Sequence, residues 1–105
     1  MGNLPKKLDW TDPAMEDLNA IWEYYEVLIG LEKAETYIDR FFQKADRLVR
    51  FPEMGAVEEE LSNAFVTVRY LLEGHYKIYY KVDGPLVKIL RVFDTRQNPD
   101  LLRNR

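Results

Sequence analysis

Five cationic side chains fall near the ends of the β-strands that the second half of the sequence predicts. They are Arg69, Lys77, Lys81, Arg91 and Arg96. A guanidinium group can hold a phosphate or a carboxylate through two parallel hydrogen bonds, and an ammonium group adds a compact positive charge. The five residues are therefore candidate contacts for a phosphate or for a carboxylate of a partner protein. The alternative is a structural role, in which Arg69 pairs with Asp94 or Glu73 across the sheet.

The other reactive residue types argue against several classes of chemistry. The chain has no cysteine, one histidine (His75) and one serine (Ser62), so thiolate, histidine-metal and serine-triad sites lack their residues. Its five glycines form neither a phosphate-binding loop nor a dinucleotide fingerprint. We therefore expect no metal and no cofactor. His75 is interpreted as a turn position, and the acidic run at residues 58–60 as a solvated face.

The first half of the sequence predicts two amphipathic helices. Apolar residues recur every three or four positions from Met15 to Ile29. Asp12 is the expected N-cap of this helix, and Gly30 is a typical left-handed helix end. The same period returns over residues 34–49 and stops before a proline. Because the connection is so short, the helices should lie antiparallel as a hairpin. A short extended segment at residues 7–10 precedes them.

The second half predicts three strands joined as a meander. Residues 65–72, 76–82 and 86–93 are rich in Val, Ile and Tyr, and the dipeptide Asp83-Gly84 is a strong hairpin signal. Alternation within the middle strand indicates that one sheet face meets the helices while the other stays partly open. The expected fold is α+β: an N-terminal strand and an antiparallel two-helix hairpin packed on one face of a small antiparallel sheet, in the order β-α-α-β-β-β.

Length and charge limit the remaining possibilities. The 105 residues suit one domain, residues 1–105, and 47% of them are hydrophobic. A formal net charge of −3 gives no diffuse positive field for nucleic acid, so any phosphate contact needs a local cluster of cations. The start of the chain lacks the apolar run of a signal peptide, and no segment is long enough to span a membrane. A cytoplasmic protein is expected.

Several short segments, taken together, carry a family resemblance. The first helix contains Ala14, Asp17, Leu18, Ile21 and Tyr24, and it is followed by characteristic segments at residues 51–55, 69–72, 76–80 and 92–99. In this order and spacing the chain resembles the RelE/ParE toxin superfamily over roughly residues 8–100. The resemblance implies the toxin of a bacterial type II toxin–antitoxin pair, of the plasmid stabilisation type, whose growth inhibition is silenced by a cognate antitoxin. ParE-like members poison DNA gyrase, and RelE-like members cleave mRNA in the ribosomal A site.

Departures from the nuclease pattern favour the ParE branch. Arg69 and Arg96 lie close to the positions of phosphate-contacting arginines in RelE-like nucleases. However, the paired lysines of those nucleases are replaced by Phe65 and Thr67, and their C-terminal catalytic tyrosine falls at or near Leu102. Cleavage by a 2′-hydroxyl needs a proton acceptor, a proton donor and cations. Only the cations are evident here.

Three hypotheses follow from the resemblance. In the first, the C-terminal strand and tail bind a protein target such as DNA gyrase through Arg69, Lys77, Lys81, Arg91 and Arg96. Apolar helix and sheet surface then takes the antitoxin, and operator DNA is contacted only through that antitoxin. In the second, the chain is a ribosome-dependent endoribonuclease with Arg69, Arg96 and Tyr79 as catalytic residues. In the third, an inactive relative binds antitoxin only to repress the operon.

Overall fold

A five-stranded sheet carries two long helices on one face in the computed structural model, which describes residues 4–98 and 100–103. The helices are α1 (Asp12–Ile29), α2 (Leu31–Asp46) and the short α3 (Asp100–Arg103). The strands are β1 (Lys7–Trp10), β2 (Ala56–Val57), β3 (Arg69–Glu73), β4 (Tyr76–Asp83) and β5 (Leu86–Asp94), in the spatial order β1-β5-β4-β3-β2. The predicted α+β class and helical hairpin are confirmed. None of the helices in the described residues is long and apolar enough to cross a membrane.

The helical hairpin turns at Gly30, which has a φ of 92°. This left-handed conformation suits glycine, and the Gly30 amide donates to the Glu26 carbonyl at the end of α1. Thr11, rather than the expected Asp12, occupies the N-cap position of α1. The second helix begins three residues earlier than predicted, at Leu31. It also ends three residues earlier, because residues Arg47–Val49 tighten into a 3-10 turn before the chain enters the segment at residues 51–55.

The sheet is mixed, because the N-terminal strand, whose partner was not predicted, joins the antiparallel strands in a parallel orientation. β1 runs parallel to β5, from Lys7 opposite Leu86 to Trp10 opposite Ile89. The other pairs are antiparallel, as expected for a meander. The two-residue strand β2 was not predicted, because so short a segment shows no periodicity.

The predicted strand at residues 65–72 begins four residues later than expected, at the start of β3. The side-chain oxygen of Asn63 accepts hydrogen bonds from the backbone amides of Phe65 and Val66, at 2.8 and 2.9 Å. This Asx turn satisfies backbone donors that a strand would otherwise use for pairing. It also leaves Phe65 95% exposed in a loop, despite its strand-forming residue type.

Apolar side chains form one core on the helix side of the sheet and a smaller cluster on the other side. The helix-side core is made by buried residues of α1, α2, β3, β4 and β5, with Phe41, Ile78 and Tyr80 fully buried. On the outer face, Val68, Tyr79 and Phe93 are buried beneath partly buried apolar residues of the loop before β3 and of α3. The outer face is therefore more covered than the alternation in β4 predicted.

Candidate partner-binding surfaces

Arg69 holds the turn at residues 53–55 rather than a carboxylate. Its Nη1 donates to the carbonyl oxygens of Gly55 at 2.8 Å and of Glu53 at 3.3 Å. The expected pairing with Asp94 or Glu73 is wrong, because Arg69 lies opposite Tyr80 whereas those two carboxylates lie opposite Tyr76. Four residues along a strand separate the two places by roughly 13 Å.

The same turn packs against Tyr80 without room for a side chain at Gly55. The Gly55 amide donates to the Tyr80 hydroxyl at 2.9 Å. A Cβ atom added at Gly55 would lie 2.6 Å from that hydroxyl and 2.7 Å from the backbone oxygen of Tyr70. Burial raises the pKa of the Tyr80 hydroxyl. The glycine of the segment at residues 51–55 is thus required by close packing.

Arg91 of β5 is bound by Asp17 of α1, just beyond the point where the pairing of β1 with β5 ends. Its Nε and Nη2 donate to the two carboxylate oxygens at 2.7 and 2.9 Å, and the Val92 amide donates to the same carboxylate at 2.9 Å. Next to it, the Thr11 hydroxyl donates to the Ile89 carbonyl at 2.6 Å. The bond to Asp17 raises the pKa of Arg91. The positive charge of Arg91 is therefore used within the fold.

Lys77 is neutralised on the outer face of the sheet by Glu58. Its Nζ lies 2.7 Å from the Glu58 carboxylate and 4.2 Å from the centroid of the Tyr70 ring. The Tyr79 hydroxyl donates to the same carboxylate at 3.3 Å. Burial, followed by the charge of Glu58, raises the pKa of Tyr79. The prediction that residues 58–60 form only a solvated face is therefore wrong for Glu58.

Arg96 is the most accessible of the predicted cations with a described ion pair. Its Nη2 and Nε donate to Asp94 at 2.8 and 3.0 Å, while its side chain stays 63% exposed. The bond from Arg96 lowers the pKa of Asp94 to about 2. Arg96 lines a groove of about 550 Å³ between α1, β5 and α3, together with the apolar Tyr24 and Leu101. Lys81 is half-buried on β4 and has no ion-pair partner among the described residues.

The three residues proposed for a nuclease do not converge. Arg96 follows β5 near the Tyr76 end of β4, and Arg69 lies beside the Tyr80 position. Tyr79 belongs to the outer apolar cluster, whereas its neighbour Tyr80 belongs to the helix-side core. The described residues also contain no group of three His, Asp or Glu side chains placed to hold a metal ion.

A second groove, of about 450 Å³, lies between α1 and α2. Its lining combines apolar and acidic side chains: Asp12, Met15, Glu16, Leu18, Asn19, Trp22, Ile38 and Phe42. The apolar surface continues to the end of the hairpin, where Val27 is 85% exposed beside the exposed Leu28 and Leu31. Sequence reasoning had assigned these helices only a general partner-binding role. The helical period of their carboxylates was the signal that could have located the groove.

Comparison with known proteins identifies the family. The family model described as the ParE toxin of the type II toxin–antitoxin system, parDE, matches residues 8–99. This chain belongs to the ParE toxin family. It is 31% identical over 85 residues to Toxin ParE1 of Caulobacter vibrioides, an alignment that covers 81% of this chain and 84% of the relative. The predicted superfamily, and its ParE branch, are confirmed.

A solved structure agrees with the ParE assignment. It is described as the chromosomal ParDE TA system from P. aeruginosa and is similar to this chain with a TM-score of 0.72 and 32% identity. The similarity covers 85% of this chain and 95% of that one. The part that matches the ParE family model contains all five predicted cations and Tyr79, whereas α3 lies beyond it. Pro99, at the end of the C-terminal motif, lies outside the described residues.

Proposed function

We propose that this ParE-family chain inhibits growth by binding a protein target, DNA gyrase, without catalysis, and that a cognate antitoxin neutralises it. The observation that carries the proposal is the separation of the groups that a nuclease would need. Arg69, Tyr79 and Arg96 lie at different places on the sheet, and each is engaged by a neighbour within the chain. A binding toxin requires only complementary shape and charge, so it needs no such convergence.

Tyr79 in particular is poorly suited to proton transfer. The hydroxyl is buried and donates to Glu58, and its pKa is raised above that of an exposed tyrosine. Burial and the bond to Glu58 both favour the protonated phenol, which makes Tyr79 a poorer base for a 2′-hydroxyl attack than an exposed tyrosine. The adjacent Lys77 is likewise neutralised by Glu58, which leaves little net positive charge to stabilise a pentavalent phosphate.

The groove around Arg96 is the surface that we assign to the target. Its walls combine the exposed guanidinium of Arg96 with Tyr24, which is 58% exposed, and with Leu101, which is half exposed. Aromatic and arginine side chains with apolar neighbours are typical of the energetic centres of protein interfaces. Lys81 lies outside this groove, near Arg69 at the other end of β4, and in this proposal it contacts the target from there.

The other three predicted cations contribute to target binding indirectly in this proposal. Arg69, Lys77 and Arg91 are bound to groups of the chain itself, so they fix the backbone and the strands that present the groove. The antitoxin covers apolar helix surface, and operator DNA is reached only through the antitoxin. Both assignments place the protein in the bacterial cytoplasm.

The test is induction of the chain alone in a bacterial host, with pulse labelling of DNA and protein synthesis during the first minutes. Early loss of DNA synthesis, with an SOS response, is expected. Early loss of protein synthesis would contradict the proposal and support the ribosomal nuclease. Normal growth would instead support an inactive relative that serves only operon repression.

A pair of variants connects the growth phenotype to the proposed surface. Arg96→Ala should reduce inhibition of purified gyrase while leaving the fold intact, since Arg96 is largely exposed. Arg50→Ala removes another exposed arginine and serves as the matched control. Equal inhibition by the two variants would exclude Arg96 from the target-binding surface.

A further inference from the structure

Carboxylates flank both walls of the apolar groove between α1 and α2. On α1, Asp12 and Glu16 line the groove, and Glu23 follows Glu16 by seven residues and so lies on the same helix face. On α2, Glu35 and Asp39 lie seven and three residues before Phe42, and Asp46 lies four residues after it. This helical spacing places the three acids on the same face as Phe42. Six carboxylates therefore lie on the helix faces that border the groove, and two of them, Asp12 and Glu16, line it.

The two helices provide no cation on these faces, although the charge of Glu16 acts on Arg91 of β5. α1 contains no Lys or Arg. The cations of α2 that flank Phe42 are Arg40 and Lys44, each two residues away and thus on the opposite side of the helix, and Lys44 pairs with Glu73. None of the six carboxylates forms an ion pair within the described residues, in contrast to Asp17, Glu58 and Asp94.

The shape of the groove restricts what can fill it. A channel between two antiparallel helices accepts a third helix, which inserts apolar side chains at a spacing of three and four residues. Here they would contact Met15, Trp22 and Phe42. Bringing a partner onto this floor removes water from the carboxylates, so like charge on the partner would oppose binding and positive charge would favour it.

We propose that the antitoxin segment covering this groove is an amphipathic helix with Lys or Arg on both sides of its apolar stripe. The inference rests on the proposed neutralisation by an antitoxin and adds the chemistry of the element that performs it. A second copy of the toxin is a poorer occupant, because a two-fold contact would set the same six carboxylates against one another. A nucleic acid is repelled for the same reason.

The experiment uses the full chain and the purified product of the small reading frame adjacent to its gene. Association rates are measured at low and at physiological salt. Glu16→Lys/Asp39→Lys reverses two groove charges. Glu53→Lys/Glu59→Lys makes the same net charge change at exposed acids outside the groove. We expect association of the groove variant to slow by about tenfold, and the control to remain within about twofold of the wild type.

A milder variant separates the effect of lost charge from the effect of misfolding. Glu16→Gln/Asp39→Asn keeps the size of both side chains and should weaken the salt dependence of association while circular dichroism stays unchanged. The inference alone is overturned if wild-type toxin binds the antitoxin but the groove variants associate as fast as the control, or if Asp and Glu flank the groove-binding helix. If wild-type toxin does not bind the adjacent product at all, the proposed neutralisation fails and this inference fails with it.

Discussion

Replacing Gly55 by alanine should destabilise the protein more than the same replacement at Gly84, a glycine constrained only by its positive φ. The added methyl group would lie 2.6 Å from the Tyr80 hydroxyl and 2.7 Å from both a ring carbon of Tyr80 and the backbone oxygen of Tyr70. These distances are well inside the roughly 3.5–4.0 Å of an ordinary contact. Tyr80 is fully buried, so neither its ring nor the β3 backbone can move freely.

The size of the effect follows from two contributions. Overpacking of a dense core costs about 1–3 kcal/mol. A shift of Tyr80 also weakens the hydrogen bond that its hydroxyl accepts from the Gly55 amide, which contributes about 1 kcal/mol. We therefore expect Gly55→Ala to lower the free energy of unfolding by roughly 2–4 kcal/mol. In a domain of this size the melting temperature should fall by at least about 8 °C.

The assay is urea unfolding followed by circular dichroism, with Gly84→Ala as the matched control. Gly84 has a φ of 58° and no atom within 4 Å of an added Cβ, so its replacement costs only the left-handed conformation, about 1–2 kcal/mol. Adding Tyr80→Phe to Gly55→Ala should give a loss smaller than the sum of the two single losses, because the closest atom is removed. A Gly55→Ala protein as stable as Gly84→Ala would refute the packing argument.

Three further predictions concern carboxylates that organise the sheet. Asp17→Ala removes charge-assisted hydrogen bonds and should cost about 2–3 kcal/mol in urea unfolding. It should also accelerate hydrogen exchange of the Val92 amide, and unchanged exchange would contradict the role assigned to the carboxylate. Glu58→Gln should lower the pKa of Tyr79 while burial keeps it above that of an exposed tyrosine; tyrosinate absorbance against pH measures this, and an unmoved titration would oppose it. Asp94 has a folded pKa of about 2 against 3.8 when unperturbed, so its ionised form stabilises the fold fully above about pH 4 and this stabilisation is lost as pH falls through about 2. Asp94→Asn should therefore flatten the acid limb of stability measured by denaturant unfolding between pH 5 and about pH 2, and parallel wild-type and variant curves would contradict it.

The elements with a strong local signal were predictable from sequence. The helical period and Gly30 located the hairpin, and the runs of Val, Ile and Tyr located β4 and β5 to within a residue or two. β1 was located as an extended segment, but its parallel partner was not predicted because a four-residue strand carries no pairing information. The start of β3 was misplaced because one side chain, Asn63, overrides the strand preference of its neighbours.

The candidate site was predicted in residue type but not in arrangement. All five cations lie in or just beyond the predicted sheet strands. Their partners, however, come from distant parts of the chain: Arg91 is bound by α1, Lys77 by Glu58, and Arg69 by the turn before β2. Side-chain pairing over such separations depends on strand register and on helix placement, which a single sequence does not specify.

The carboxylate of Asp17 and the hydroxyl of Thr11 have a consequence for the behaviour of the protein in a crowded cell. β1 ends opposite Ile89, so the remainder of β5 would otherwise present an unpaired strand edge to solvent. Such an edge is a template on which a strand of another molecule can pair, and that is how sheet proteins begin to aggregate. By occupying the Ile89 carbonyl and the Val92 amide, these two side chains obstruct intermolecular strand addition with only two residues. The start of α1 thus protects the solubility of the chain as well as its stability.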